Sequence, residues 1–256
     1  MTLQAYILFA IFFLIMIRII GVFIQAPVFG SRLIAPQAII GLSALLAVII
    51  YPQIPVPQDF PSDIIGFAGL VAVQFLVGSV IGFISNIVLQ AAQFAGAMLD
   101  IQLGLSAAAV YDPATGSSVN ILNRFQFYFA MLLYLAIDGH HILIKSICES
   151  FKILPLTGVT YNGPLMGELI KLTGQIFYVG IQIAAPMLAA LFIVQIALGL
   201  LSRVAPQMNV FMLSFPLNIL VGVILFMFSL GFIKLALTNL FEKNFFDMLN
   251  AIKIMK

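Results

Sequence analysis

Long apolar runs alternate with short polar breaks along the whole chain. Residues 3–24 are apolar apart from Gln4 and the single charge at Arg18. No formal charge occurs between Asp63 and Asp100, between Lys171 and Arg203, or between Arg203 and Lys234. Each of these three runs exceeds the roughly 20 residues that cross a hydrocarbon core. In lipid a backbone must satisfy its own hydrogen bonds, so such runs predict helices rather than open strands. Shorter apolar runs over 38–51 and 125–137 predict two further helical elements.

Several runs are too long for one straight helix. Gly66, Gly69, Gly78, Gly82 and Gly96 punctuate the first of the three, and Pro186 and Pro216 interrupt the other two. Proline removes a backbone donor and kinks a helix where it stands. The pattern predicts bent helices and helical hairpins, about six to eight pieces in all. Turn chemistry marks three connectors: the proline-rich stretch 52–57 leading to Asp59 and Asp63, the stretch 112–118, and the stretch 154–164. No repeat is visible, so residues 1–256 read as a single unit. A short basic tail over 240–256 carries Lys243, Lys253 and Lys256, which favours a cytoplasmic end. The other basic residues are too scattered to orient the chain.

Composition turns this pattern into a class. Apolar residues make up 63% of the chain and charged residues 8%, whereas a soluble domain runs near half and a quarter. Lipid, partner subunits or both must cover the surface, and the fold class is an all-α integral membrane protein. Phe is abundant and Trp absent, so an interfacial aromatic belt must rely on Tyr. The first residues lack a basic region, so no cleavable signal peptide is expected. The single Cys148 excludes an internal disulfide and a cysteine metal cluster. A net charge of +2, scattered along the chain, does not point to nucleic acid.

One polar stripe stands out. Asn86, Gln90, Gln93, Ala97, Asp100 and Gly104 follow steps of four and three, which places them on one helical face. Such a face lines a wet passage or a dense subunit interface, or simply forms hydrogen bonds between buried helices. Gly78, Gly82, Gly96 and Ala92 are small residues at which helices can approach closely, here expected against homologous neighbours. After the stripe come Gly104, Leu105, Ser106, Ala107, Ala108, Ala109 and Val110, then Asp112 and Pro113. This small-residue segment suits a loop that packs into a narrow space and moves out, or a plain connecting turn.

Catalytic chemistry is poorly represented. Gly104 to Ala107 is superficially similar to the serine motif of rhomboid intramembrane proteases, with His140 or His141 as a base. Nothing identifies an oxyanion hole, and no catalytic residue is assigned. There is no HExxH, no phosphate-binding glycine loop, and adjacent histidines do not face one site from a regular helix. No metal or cofactor is expected. Charges inside apolar runs carry a functional suspicion: Arg18, Asp100, Arg203, and the group of Asp138, Lys145 and Glu149 beside the histidines. Lys145 and Glu149 are four apart and predict an ordinary ion pair. A stand-alone transporter or proton channel would use the same charges without partner proteins.

Four ordered segments together carry a family resemblance. They are Arg18 with Ala26, Pro27, Val28, Phe29, Gly30 and then Leu33 to Pro36; Gln102, Leu103, Gly104, Leu105 and Ser106 followed by Asp112 and Pro113; Asp138, Gly139 and His140 with Ser150, Phe151, Leu154 and Pro155; and Ala205 through Phe211 followed by Phe215, Pro216 and Leu217. In this order they resemble the FliR family of flagellar export proteins, related to an injectisome branch. The resemblance implies a non-enzymatic subunit of a type III secretion export gate in the bacterial inner membrane, at the flagellar basal body. It implies P-type and Q-type membrane partners, a switch protein of the same system, and unfolded export substrates in a helical, shell-like channel. Much of that assembly would sit above the bilayer plane. The resemblance also implies that the segment 104–118 helps plug the closed channel. His141 departs from the family pattern, in which an apolar or aromatic residue is common.

Overall fold

The computed structural model describes residues 3–30, 34–55, 60–61, 63–105, 120–157, 163–207 and 209–255. Among them every regular element is helical: α1 (Leu3–Gln25), α2 (Pro36–Ile50), α3 (Ile64–Gln102), α4 (Ile121–Ala136), α5 (Gly139–Ile153), α6 (Gly163–Val204) and α7 (Val210–Ile254). One short 3-10 turn, Tyr51–Gln53, follows α2. Local chemistry sets the boundaries. Proline stands in the first turn of α2, where its missing N–H costs nothing. The Asp63 carboxylate accepts the Gly66 N–H at 2.9 Å and so caps the start of α3.

Seven helices among the described residues match the expected six to eight pieces, and three of the long runs form single helices. α3, α6 and α7 contain 39, 42 and 45 residues. At 1.5 Å per residue they are about 58 to 68 Å long, roughly twice the hydrocarbon thickness. α6 and α7 continue through Pro186 and Pro216. A proline removes one backbone donor, but in apolar surroundings every other peptide group still needs its helical partner, so the helix resumes. The sharp break falls elsewhere, as a 68° bend between α4 and α5. α1, α2 with its 3-10 turn, α3, α6 and α7 are each long and apolar enough to cross a membrane, and the bent α4–α5 pair is a sixth candidate. The chain is an all-α integral membrane protein.

The basic end is also helical rather than a free tail. α7 runs to Ile254, and Leu237, Phe241, Met248, Ala251 and Ile252 are buried at helical spacing while Glu242 and Lys243 are exposed.

The chain forms two compact units from interleaved segments. One takes Met1–Ile87, Tyr134–Leu172 and Phe241–Lys256; the other takes Val88–Leu133 and Thr173–Leu240. In the first unit, α1 and α3 touch backbone to backbone. A Cβ at Gly78 would meet the Arg18 carbonyl, one at Gly82 would meet the Val22 carbonyl, and one at Gly21 would lie 2.6 Å from the Phe75 carbonyl oxygen. The Gly78 and Gly82 pair is therefore used within the chain, where sequence suggested neighbouring subunits. The opposing atoms are backbone and cannot swing aside. Gly78→Ala is expected to lower stability by about 1–3 kcal/mol through overpacking. Gly41→Ala, with open space around it, is expected to be neutral or slightly stabilising. Thermal unfolding midpoints of the two variants in mild detergent check the contrast; equal midpoints would refute the close crossing.

In the second unit, α3 meets α6 where Gly180 admits the Phe94 ring, and Phe94 stacks edge-on with Phe177 at 5.1 Å. Phe125 of α4 meets Phe226 of α7 in the same manner at 5.2 Å. Such pairs add to area burial and fix helix rotation.

Candidate functional site

The segment singled out by sequence begins where α3 ends. The Gly104 N–H donates to the Ile101 carbonyl at 3.0 Å, and Gly104 has φ +77°, the left-handed conformation that turns a chain off a helix. Its open side faces the Phe215 ring: a Cβ there would lie 2.8 Å from two ring carbons. Seven residues on, two turns along the same face of α7, Gly222 admits the side chain of buried Leu103. α7 thus grips the last turn of α3 at two points. Ser106, Ala107, Ala108, Ala109, Val110, Asp112 and Pro113 lie outside the described residues.

The far end of the segment is tied to the same place. Asp100 is fully buried, and its two carboxylate oxygens accept the backbone N–H groups of Leu122 and Asn123, each at 3.0 Å. These are orphan donors in the first turn of α4. The carboxylate satisfies them and meets the positive end of the helix dipole. Asn123 in turn donates through Nδ2 to the Gln93 carbonyl at 3.1 Å. A Cβ at Gly96 would lie 2.6 Å from the Asn123 Cα, so that glycine serves this contact within the chain. Chain departure at Gly104 and chain return at Ile121 are clasped by one buried carboxylate and one close helix approach.

The polar stripe therefore divides. Gln90 is exposed, and Asn86 and Gln93 are half-buried. Asp100 shares their face, but α4 covers it and takes up both of its oxygens, so it does not look outward from this chain.

A second buried polar centre was not legible from sequence. Arg18 of α1 is fully buried. Its Nε donates to Gln74 Oε1 at 2.7 Å, Nη1 to the Ser150 carbonyl at 3.1 Å and the Ser150 Oγ at 3.3 Å, and Nη2 to the Leu154 carbonyl at 3.0 Å. Its guanidinium carbon lies 4.2 Å from the centre of the Phe151 ring. Gln74 Nε2 donates to the Leu156 carbonyl at 2.9 Å. Among the described residues no carboxylate takes part. The cation faces the carbonyl end of α5, where the helix dipole is negative. The planar five-donor fork of arginine suits this spread of acceptors. Arg18, Ser150, Phe151 and Leu154 come from two of the four resemblance segments and meet here.

The remaining charges are arranged differently from the sequence expectation. Glu149 pairs with Lys152 at 2.8 Å rather than with Lys145. Three residues apart also lie on one helical face, and Lys152 supports the carbonyl end of α5. His140 and His141 stand at the start of α5 with ring centres 4.2 Å apart. Asp138 lies close by: one donor atom each from Asp138, His140 and His141 fall within 4.8 Å of one another. Adjacent histidines, set apart by helical geometry in the sequence reading, converge here.

These features define a class: a helical membrane protein whose longest helices outrun the bilayer, with two buried polar clasps, one of them joining the end of α3 to the start of α4. Residues 9–244 match the family of bacterial export proteins, family 1. The flagellar biosynthetic protein FliR of Bacillus subtilis is 32% identical over 253 residues, covering 96% of each chain. The FliR of Pectobacterium carotovorum is 32% identical over 238 residues, covering 93% of this chain and 90% of its own. That of Escherichia coli is 32% identical over 213 residues, 83% and 81% of the two chains. The chain belongs to the FliR family of bacterial export proteins, and its place is the bacterial inner membrane.

Proposed function

We propose that this component of the flagellar export apparatus is a channel-forming subunit of the export gate. It packs with P-type and Q-type membrane proteins and a switch protein, and unfolded flagellar subunits pass through the assembly. The segment 104–118 closes the passage until substrate displaces it. The observation that carries this reading is the Asp100 clasp. A segment tied at its base can be displaced without loosening the helices that flank it. Helices about twice as long as the bilayer is thick also support an assembly that extends beyond lipid. Large exposed side chains such as Tyr178, Ile193, Phe228 and Leu235 on α6 and α7 give it apolar surface for lipid or partners.

Deletion of residues 106–110 tests the closure. Because the clasp lies outside the deleted stretch, the complex is expected to assemble in normal amount and to conduct ions at rest. Planar-bilayer conductance of the purified complex is the measurement. An assembled deletion complex with wild-type resting conductance would rule out a blocking role for this segment.

A further inference from the structure

The turn into α5 holds a group of side chains to which the closure by 104–118 assigns no part. Asp138 occupies the N-cap position of α5, where an aspartate ordinarily accepts a hydrogen bond from the helix's first amides. Here its side chain makes no capping bond. The residue instead adopts a left-handed backbone with φ +57°, uncommon outside glycine. Its Oδ1 lies 3.4 Å from Nδ1 of His141. That distance is about the edge of a tetrahedron whose centre is roughly 2.0–2.1 Å from oxygen and imidazole nitrogen, the bond lengths of zinc. His140 contributes the third donor, within 4.8 Å of the other two. Its Nδ1 is buried and has no hydrogen-bond partner among the described residues.

The surroundings hold the turn in this shape. Tyr134 donates through its hydroxyl to the Gly139 carbonyl at 2.8 Å, and its ring fills the space a Cβ at Gly139 would need. The Asp138 carbonyl accepts the N–H groups of His141 at 2.9 Å and Ile142 at 3.2 Å. The backbone that carries all three donors is therefore fixed. The side chains of Asp138 and His141 are 71% and 69% exposed, so a dissolved ion has access.

We propose that Asp138, His140 and His141 bind one divalent transition-metal ion of the zinc class. Two imidazoles and one carboxylate form a donor set suited to zinc, nickel, cobalt and copper rather than to magnesium or calcium. Small rotations of two exposed side chains bring the three donors onto one ion. A fourth position stays open to water or to a side chain of a neighbouring subunit. With the ion bound, Asp138 is tied to the first turn of α5.

Cobalt titration of the full-length chain in its native complex tests this. The complex is purified through an affinity tag free of histidine, and Co²⁺ is followed by its visible absorption. The expected result is one saturable Co²⁺ per copy of the chain, displaced by zinc. Asp138→Asn keeps a residue that tolerates the left-handed backbone, and His141→Gln changes an exposed side chain, so both variants are expected to assemble. Each should weaken Co²⁺ binding by about tenfold or more, since even loss of a group that only orients a ligand costs about 10–100-fold. Absence of a saturable band overturns the proposal. So does a band that survives unchanged in either variant.

Discussion

Replacing Arg18 by alanine is expected to remove a large part of the stability of the first compact unit. The guanidinium makes four hydrogen bonds that no other group can supply. Its loss strands the Gln74 carbonyl and the Leu154 carbonyl in a dry interior, and leaves a cavity against Phe151. Each buried acceptor left without its donor costs about 1–3 kcal/mol, against a total of about 5–15 kcal/mol for a typical domain. Lysine does not rescue the site, because one ammonium cannot span acceptors on α3 and α5 together. Both variants should show low abundance in membranes, protease sensitivity and loss of swarming, with Arg18→Lys the milder. Wild-type abundance and protease resistance of Arg18→Ala would show that the centre does not hold the unit together.

The second large effect is expected at Asp100, and it differs in kind. Asp100→Ala frees two amides at the start of α4, each held by a bond to a charged acceptor. Such bonds contribute about 1.5–3 kcal/mol apiece, and a total of about 3 kcal/mol is expected because the amides find partial substitutes. Asp100→Asn retains one acceptor oxygen and should lose about half of that. The damage should stay local. Amide hydrogen exchange should accelerate at residues 121–123 while α1 remains protected. If Asp100 closes the base of a blocking segment, the alanine variant should also leak ions. Unaltered exchange at 121–123 would show that the carboxylate does not cap α4.

Apolar run length made the helical membrane class legible, because in lipid there is no other way to satisfy a backbone. It did not give the number of helices within a run. Glycine and proline signalled breaks in α3, α6 and α7, yet Gly78, Gly82, Gly96, Gly180 and Gly222 serve close packing and the prolines are bridged by continuing helix. The sharp bend lies at Asp138, where the apolar run 125–137 ends and a left-handed residue before Gly139 turns the chain. The stripe from Asn86 to Asp100 was visible as periodicity, but periodicity does not say what lies opposite. Asp100 found the amides of Leu122 and Asn123, which carry no side-chain signature at all. Arg18 was visible as an isolated charge. Its partners were not, since two of its acceptors are backbone carbonyls and the rest are neutral side chains.

The Arg18 centre also dictates something about synthesis. Its acceptors lie 56, 132 and 136 residues further along the chain. At about 5–20 residues per second on the ribosome, the guanidinium waits roughly 7–27 s for the end of α5. During that interval α1 holds an incompletely partnered cation at a cost of about 2.5–3.5 kcal/mol on insertion scales. The apolar remainder of α1 outweighs that penalty, so the helix enters the membrane first and waits. The first helix thus keeps an open site until Ser150 and Leu154 arrive, and the last segment of the same unit, Phe241–Lys256, follows later still.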